Sequence, residues 1–360
     1  MYVVTNRDIR LDKKGLDQFG SKPNHLGPNE LRFAEVIRKG KSWQVKWLND
    51  KLSDSKVKSL KKDFNLNIDE TANHYASLEV ACALAEKSRV NKSNILFFVH
   101  GFNNDIESVL NRAEELKKLY GVEVIPFSWP SNGGGIKGVV SYKSDKRDAR
   151  SSAGALERTL SKVGNYLDLI TKARREAIRI KVEKDHPSDR DKQNILYSKL
   201  LQKDCPFGVS IMFHSMGNYL YKSMLKSSIT EGNQLVFDNV LLVAADTNSK
   251  GHINWVDKIR CRKRCYITIN ENDHALGISR AKFGEQQLAR LGHYIRNLNS
   301  RQVYYINLTD VPWVKDSHSY FDKKVAGKNP KVFGFFNDAL NGKFAEKKLK
   351  YQSSGNFYAI

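Results

Sequence analysis

The chain has 360 residues, of which 40% are hydrophobic, and 60 Lys and Arg outweigh 39 Asp and Glu to give a net charge of +21. This length allows one large domain or two modest ones, and the apolar content excludes wholesale disorder. The longest apolar runs fall far short of the roughly 18 residues that a membrane span requires, so no spanning helix is predicted.

The N-terminus and the cysteines bear on the compartment. Residues 1–7 form too short an apolar stretch for a signal peptide, so a cytoplasmic location is expected. The cysteines are too few and too scattered for a disulfide framework and are expected to be reduced. They are Cys82, Cys205, Cys261 and Cys265. Because Cys261 and Cys265 lie among Arg and Lys residues, no metal site is predicted, and no cofactor is predicted either.

The positive charge favours attraction to a polyanion, which could be nucleic acid, an anionic membrane surface or an acidic partner. The basic clusters are dispersed along the chain, and no zinc-finger spacing, basic region with heptads or RNA-binding strand signature accompanies them. A solvated surface or a general attraction is therefore favoured over a specific nucleic-acid site.

The first part of the chain reads as β-rich. Residues 2–6 and the alternating segment 42–47 have the pattern of strands, and residues 70–87 have the apolar face of a helix. Residues 1–93 are predicted to form an N-terminal extension that packs on the sheet or extends it.

From residue 94 the pattern changes to short apolar runs that alternate with helical segments, as in a parallel sheet buried on both faces. Strands are predicted at residues 95–99, 122–127, 208–213, 240–244, 265–269 and 303–308, with a crossover helix from Ile106 to Tyr120. The fold class is therefore α/β, with a mostly parallel central sheet flanked by helices. The predicted core spans residues 94–325, and residues 326–360 are predicted as a helical segment and tail.

The connection from Trp129 to Gly208 is much longer than one loop and one helix need. It includes a polar stretch, and residues 145–205 are predicted as a helical insertion that forms a cap or an arm. One long solvated helix followed by a polar loop is an equal alternative.

In an open parallel sheet, ligands bind beyond the carboxyl ends of the strands, so residues just after each predicted strand are informative. These positions are rich in reactive and polar side chains. They include His100, Gly101, Trp129, His214, Ser215, Asp246, Asp273 and His318.

Ser215 is the candidate nucleophile because it lies on a tight turn between a predicted strand and a predicted helix, where its hydroxyl would be exposed at the top of the sheet. The usual pattern at such an elbow is G-x-S-x-G. Gly217 matches the last position, but Phe213 replaces the first glycine, which puts the tightness of the elbow in doubt.

A serine nucleophile needs a base, and the base needs an orienting carboxylate. In this architecture the chain order is nucleophile, acid, base, and Asp273 and His318 follow Ser215 in that order. Asp246 also follows a predicted strand and is the alternative acid. An oxyanion hole needs two donors, for which the backbone amides of Phe102 and Met216 are the candidates. His100, Gly101, Trp129 and His214 are candidates for lining the pocket.

Taken together, these motifs resemble the α/β-hydrolase superfamily, and within it a bacterial family of largely uncharacterised, esterase- or lipase-like serine hydrolases. The resemblance spans about residues 94–325. It rests on Phe98-Val99-His100-Gly101-Phe102, Phe127-Ser128-Trp129-Pro130-Ser131, His214-Ser215-Met216-Gly217-Asn218, Asn272-Asp273-His274-Ala275-Leu276 with Ser279-Arg280, Arg290-Leu291-Gly292, and Asp316-Ser317-His318-Ser319-Tyr320-Phe321. It implies Ser215, Asp273 and His318 as the triad, and it implies no substrate.

The expected activity is hydrolysis of a carboxylester or lipid ester through an acyl-enzyme, with a small-molecule or lipid substrate. An amidase or peptidase activity stays open. The competing hypothesis is an inert hydrolase-fold binding module that uses its basic surface to hold nucleic acid or an acidic partner. The oligomeric state is not predicted.

Overall fold

The computed structural model describes residues 1–131, 142–187, 189–204, 207–227, 236–280 and 288–360. Cys205 lies outside these residues. The strands are β1 (Tyr2–Thr5), β2 (Arg7–Ile9), β3 (Phe19–Pro23), β4 (Arg32–Lys39), β5 (Ser42–Trp47), β6 (Ile95–Val99), β7 (Glu123–Ser128), β8 (Val209–His214), β9 (Asn239–Val243), β10 (Arg264–Ile269), β11 (Tyr304–Asn307), β12 (Lys350–Gln352) and β13 (Phe357–Ala359).

The α-helices connect these strands, and three short 3₁₀ helices accompany them within the described residues. The α-helices are α1 (Asp54–Phe64), α2 (Ala76–Asn91), α3 (Ile106–Tyr120), α4 (Tyr142–Ser151), α5 (Ala153–Asp185), α6 (Arg190–Asp204), α7 (Gly217–Ser227), α8 (Ile253–Val256), α9 (His274–Arg280) and α10 (Pro330–Leu340).

One large sheet organises the described residues, with the strand order β12-β13-β11-β10-β9-β8-β6-β7-β1-β4-β5. The strands from β13 to β1 run parallel to one another, and the two edges close with antiparallel pairs, β12 on β13 and β4 with β5 beside β1. The carboxyl ends of β6, β8, β9, β10 and β11 therefore meet at one edge of the sheet.

The central strands are apolar on both faces because helices cover both sides. Along β6, Phe97 and Val99 join the core that α5 and α7 cover, whereas Leu96 and Phe98 join the core that α3 and α10 cover. This packing of helices on both faces of the sheet confirms the predicted α/β class with a mostly parallel sheet.

The N-terminal segment extends the sheet. Strand β1 pairs in parallel with β7, and Thr5 lies opposite Ser128 at the carboxyl ends of the two strands. Helix α2 begins later than the sequence pattern predicts, because Asp69 accepts hydrogen bonds from the amide and hydroxyl of Thr71 and so forms a turn there.

The long connection between β7 and β8 contains helices α4, α5 and α6, as the predicted helical insertion requires, and not a long helix followed by a polar loop. Helix α5 is 33 residues long. The C-terminal segment contains helix α10 and also two strands, β12 and β13, of which β13 pairs with β11 and β12 pairs with β13.

Candidate active site

Ser215 lies in a strained turn between β8 and α7. Its φ is +53°, in the left-handed region that is unfavourable for a residue with a side chain. The side-chain amide of Asn218 donates to the carbonyl oxygens of Phe213 (3.1 Å), Ser215 (3.0 Å) and Val243 (3.1 Å). The Ser215 amide also donates to Val243 O at 3.0 Å. These bonds stabilise the turn and fix the hydroxyl at the carboxyl edge of the sheet.

Two glycines allow the backbone to approach this turn closely. A Cβ atom on Gly217 would lie 2.8 Å from the carbonyl oxygens of both Val99 and His100, so the start of α7 packs directly on the end of β6. A Cβ on Gly101 would lie 2.6 Å from Ser215 Cβ and 3.3 Å from Ser215 Oγ. The turn after β6 therefore lies against the serine side chain.

His318 and Asp273 form a hydrogen-bonded pair at the same edge. Nδ1 of His318 lies 2.8 Å from Oδ2 and 3.0 Å from Oδ1 of Asp273. Asp273 is fully buried, whereas the His318 side chain is 24% exposed. The carboxylate thus holds the imidazole with Nδ1–H toward the protein and leaves Nε2 as the basic nitrogen. Within the described residues no hydrogen bond joins Ser215 Oγ to His318, and such bonds often form only when substrate binds.

His214, the residue before Ser215, contacts His318 directly. Its Nε2 donates to the backbone carbonyl of His318 at 3.1 Å, and the two ring centroids are 4.7 Å apart. Burial lowers the pKa of His214 well below its usual value, and the neighbouring His318 adds to this. A neutral His214 therefore fixes the main chain that carries His318.

Residues 101–104, which we call the 101–104 turn, follow β6 and contain Phe102. The Asn104 side chain closes this turn by donating to the carbonyl oxygens of Gly101 (3.2 Å) and Phe102 (2.7 Å). The Phe102 ring packs edge-on against Tyr142, with centroids 5.4 Å apart. On the other side of the serine, the Met216 amide makes no hydrogen bond to any residue that the structure describes, and it lies at the start of α7.

His100 and Trp129, predicted to line the pocket, are buried beneath the 101–104 turn. Their rings are nearly parallel, with centroids 5.1 Å apart. The Trp129 Nε1–H donates to His100 O at 2.9 Å, and His100 Nδ1 lies 2.8 Å from Gly101 O. Burial, with a smaller contribution from the Arg7 cation, lowers the pKa of His100 to about 3. Both rings are buried, so they support the 101–104 turn and are not exposed at the site.

Asp246, the alternative acid, belongs to a different buried cluster. Its Oδ1 lies 3.2 Å from Arg290 Nε and accepts from Ser279 Oγ at 2.6 Å. Its Oδ2 accepts from Tyr142 Oη at 2.9 Å. The Asp246 amide lies 3.3 Å from Ser215 O, so this cluster supports the elbow from behind while its carboxylate bonds elsewhere.

Several residues that build this edge were not predicted from the sequence. They are Arg7, Asn104, Asn218, Ser279 and Arg290 in its hydrogen-bond network. Asn218, Ser279 and Arg290 stand within the motifs that carry the family resemblance, so their positions were a usable signal. Arg7 is distant in sequence and has no motif around it.

In the part of the chain that the structure describes, no group of three or more His, Cys, Asp or Glu side chains could hold a metal ion. In the same residues, no helix is long and apolar enough to cross a membrane.

Comparison with known proteins gives one family. The model of a family described as "Alpha/beta hydrolase of unknown function (DUF900)" matches residues 78–171 and 184–333, about two thirds of the chain. The match contains Ser215, Asp273 and His318 and leaves out the first 77 residues. No curated protein and no solved structure matches this chain.

Proposed function

The chain belongs to this family of alpha/beta hydrolases, and from that premise we propose that it is a serine hydrolase that cleaves a carboxylester or lipid ester through an acyl-enzyme. One observation carries the proposal. Ser215, with φ at +53° and Gly101 packed against it, lies at the same sheet edge as the hydrogen-bonded His318–Asp273 pair.

In the acylation step, Ser215 Oγ attacks the ester carbonyl carbon and its proton passes to His318 Nε2. Asp273 holds the Nδ1–H side of the ring and stabilises the imidazolium that forms. When the tetrahedral intermediate collapses, the bond to the leaving oxygen breaks and His318 gives its proton to the departing alcohol. Water then attacks the acyl-enzyme with His318 as base, which releases the acid and restores Ser215.

The negative oxygen of each tetrahedral intermediate needs preorganised donors. The Met216 amide is one candidate because it lacks a partner within the described residues and sits at the N-terminus of α7. The Phe102 amide is the other, because the 101–104 turn lies against Ser215. Removal of one such donor typically costs about 10²-fold to 10³-fold in rate.

Mass-spectrometric mapping of a fluorophosphonate adduct tests the proposal, because this probe modifies an activated serine. We expect the adduct on Ser215 in the intact protein, and none after Ser215→Ala or His318→Ala. Ser227→Ala, at the exposed end of the same helix α7, is the matched control and should keep the adduct.

A folded protein without an adduct would contradict the proposal. The basic surface would then be the feature to explain, and a gel shift with a nucleic-acid duplex would test the binding-module hypothesis. A steep loss of that shift with salt, unchanged by Ser215→Ala, would support it.

A further inference from the structure

Arg7 is a buried cation that the mechanism above does not use. It is the first residue of β2, is 2% exposed, and extends across the carboxyl end of the large sheet. Nε donates to Ser128 Oγ at 2.8 Å, and Nη1 lies 3.3 Å from both Gly20 O and Ser131 O. Nη2 donates to Asn104 O at 3.0 Å.

All of these acceptors are neutral, and within the described residues no carboxylate lies at ion-pair distance from Arg7. Burial lowers the pKa of this guanidinium to about 10. The carboxylates of Asp105 and Asp145 raise this pKa, but they act from beyond ion-pair distance and do not offset the effect of burial. A buried charge without a partner charge costs free energy that an apolar side chain of similar size would avoid. Stability alone therefore gives little reason for an arginine at this position, whereas its planar fork can fix several carbonyls at once.

Two of the carbonyls that Arg7 contacts belong to the 101–104 turn, which lies against Ser215, and to the segment that holds this turn. Asn104 ends the 101–104 turn, and its backbone amide donates to Ser131 Oγ at 3.1 Å. Arg7 thus binds the carbonyl of Asn104 directly. It also binds the carbonyl of Ser131, whose hydroxyl accepts from the Asn104 amide. The backbone of Arg7 is itself held, because its amide donates to Thr5 Oγ1 at 3.0 Å and Thr5 Oγ1 donates to Ser128 O at 2.7 Å.

We propose that Arg7 is a positioning residue of the oxyanion hole, which fixes the 101–104 turn so that the Phe102 amide faces the developing negative charge. This inference rests on the proposed serine hydrolase function. It also assigns a role to the segment before residue 78, which the family match leaves out. The N-terminal segment then completes the active site and does more than extend the sheet.

The experiment measures fluorophosphonate inactivation of the full chain, with the maximal rate constant kinact separated from the half-saturating concentration KI. We expect Arg7→Ala to lower kinact about 10²-fold while KI changes less than about threefold, because the turn is misplaced and the acyl pocket is not. Arg7→Lys should fall in between, since a single ammonium cannot span the three carbonyls. Millimolar guanidinium should restore part of kinact in Arg7→Ala but not in wild type.

Arg264→Ala is the matched control, because Arg264 is a half-buried arginine at the amino end of β10, far along the strand from the site, and pairs with Glu346. Its loss should lower stability and leave the kinact of folded protein unchanged. If Arg7 had only a structural role, Arg7→Ala would behave like Arg264→Ala. It would show a smaller labelled fraction with the wild-type kinact, and guanidinium would not rescue it. That result, with wild-type Ser215 labelled normally, overturns the role of Arg7 and leaves the proposed function intact.

Ser128→Ala covers the case in which Arg7→Ala does not fold. It removes the acceptor of Arg7 Nε and retains the guanidinium. We expect Ser128→Ala to lower kinact several-fold. In the double variant with Arg7→Lys, the loss in kinact, expressed as an activation free energy, should be smaller than the sum of the losses in the two single variants. A wild-type kinact in Ser128→Ala, or strict additivity in the double variant, would overturn the proposal. If wild-type Ser215 fails to react at all, the proposed function itself fails.

Discussion

Phe213 stacks on Tyr221 across the elbow, with ring centroids 4.0 Å apart and ring planes 11° from parallel. Phe213 occupies the strand position where the G-x-S-x-G pattern has its first glycine, and Tyr221 lies on α7. Both rings are buried, so they fill the layer between strand and helix. The close backbone approach is made at Gly217 instead, which explains how the elbow forms with a phenylalanine at position 213.

We therefore expect Phe213→Ala to lower the free energy of unfolding by about 3–5 kcal/mol, because the cavity would lie inside a packed core. Phe213→Leu should cost less, since it retains more of the buried volume. Urea unfolding measures both, and fluorophosphonate labelling of Ser215 should persist in the folded fraction. A loss below about 1 kcal/mol in Phe213→Ala would show that the stack contributes little.

Gly101→Ala should abolish most of the reactivity of Ser215 and leave the fold intact. The new Cβ would lie 2.6 Å from Ser215 Cβ, so either the serine or the 101–104 turn must move. A displacement of this kind is expected to lower the rate of fluorophosphonate labelling about 10²-fold.

Gly334→Ala is the matched control for that substitution. Gly334 lies within α10, and a Cβ added to it would meet no atom of another part of the described chain within 4 Å. The variant should label at the wild-type rate and gain about 0.5–1 kcal/mol of stability from better helix propensity. Equal labelling rates for Gly101→Ala and Gly334→Ala would mean that the turn does not constrain Ser215.

Local patterns were sufficient to predict the strands that carry the site. The segment 95–99 is apolar at every position and matches β6. At the edge of the sheet, away from the site, the alternating segment 42–47 matches β5. Because parallel strands end at one edge, residues just after them could be predicted to meet there. The His318–Asp273 pair is such a case.

Contacts between distant, unpatterned residues could not be predicted in this way. Arg7 reaches Asn104 across 97 positions, and neither residue belongs to a periodic segment or a known motif. The strands β12 and β13 are three residues each, too short for alternation to stand out. They form because β13 pairs with the edge of β11 and β12 pairs with β13. The Asp246–Arg290 pair is likewise visible only from the contacts of residues 245–248, which follow β9, with residues 290–292.

Acid should destabilise the protein through His100. Burial holds its pKa at about 3, whereas an unfolded histidine titrates near 6.5. Below about pH 6.5 the unfolded state binds a proton that the folded state does not, so stability falls as the pH drops toward 3. This single group contributes up to about 1.4 kcal/mol per pH unit in that window.

His100→Leu should therefore be less stable at neutral pH but should lose less stability on acidification. Urea unfolding between about pH 7 and about pH 5 measures the slope. His274→Gln is the control, because the His274 side chain is exposed. An unchanged slope in His100→Leu would show that His100 is not the group responsible.

The positive charge should make hydrolysis of anionic substrates sensitive to salt. Lys181 and Lys184 on α5 are examples of exposed cations for which the described residues offer no ion-pair partner. With 4-nitrophenyl hemisuccinate as substrate, the rate should fall as salt rises from about 50 mM to about 500 mM, because screening weakens the attraction. Uncharged 4-nitrophenyl acetate should show little change, and equal salt responses for the two esters would refute the electrostatic role.

The contacts of the two carboxylates predict opposite effects for Asp273→Asn and Asp246→Asn. Asp273 bonds only His318 among the described side chains, so its amide variant should fold and label at Ser215 about 10⁴-fold more slowly, because the imidazole loses its orientation. Asp246 faces Arg290, Ser279 and Tyr142, and burial beside this carboxylate raises the pKa of the Tyr142 hydroxyl.

Asp246→Asn breaks the buried ion pair with Arg290, which typically costs about 3–5 kcal/mol of stability. The folded fraction should still label at Ser215 within about tenfold of the wild-type rate, since His318 keeps its own carboxylate. Urea midpoints and labelling rates for the two variants, measured side by side, separate a structural acid from a catalytic one. The reverse pattern, a stable Asp246→Asn variant with an inert serine, would transfer the acid role from Asp273 to Asp246.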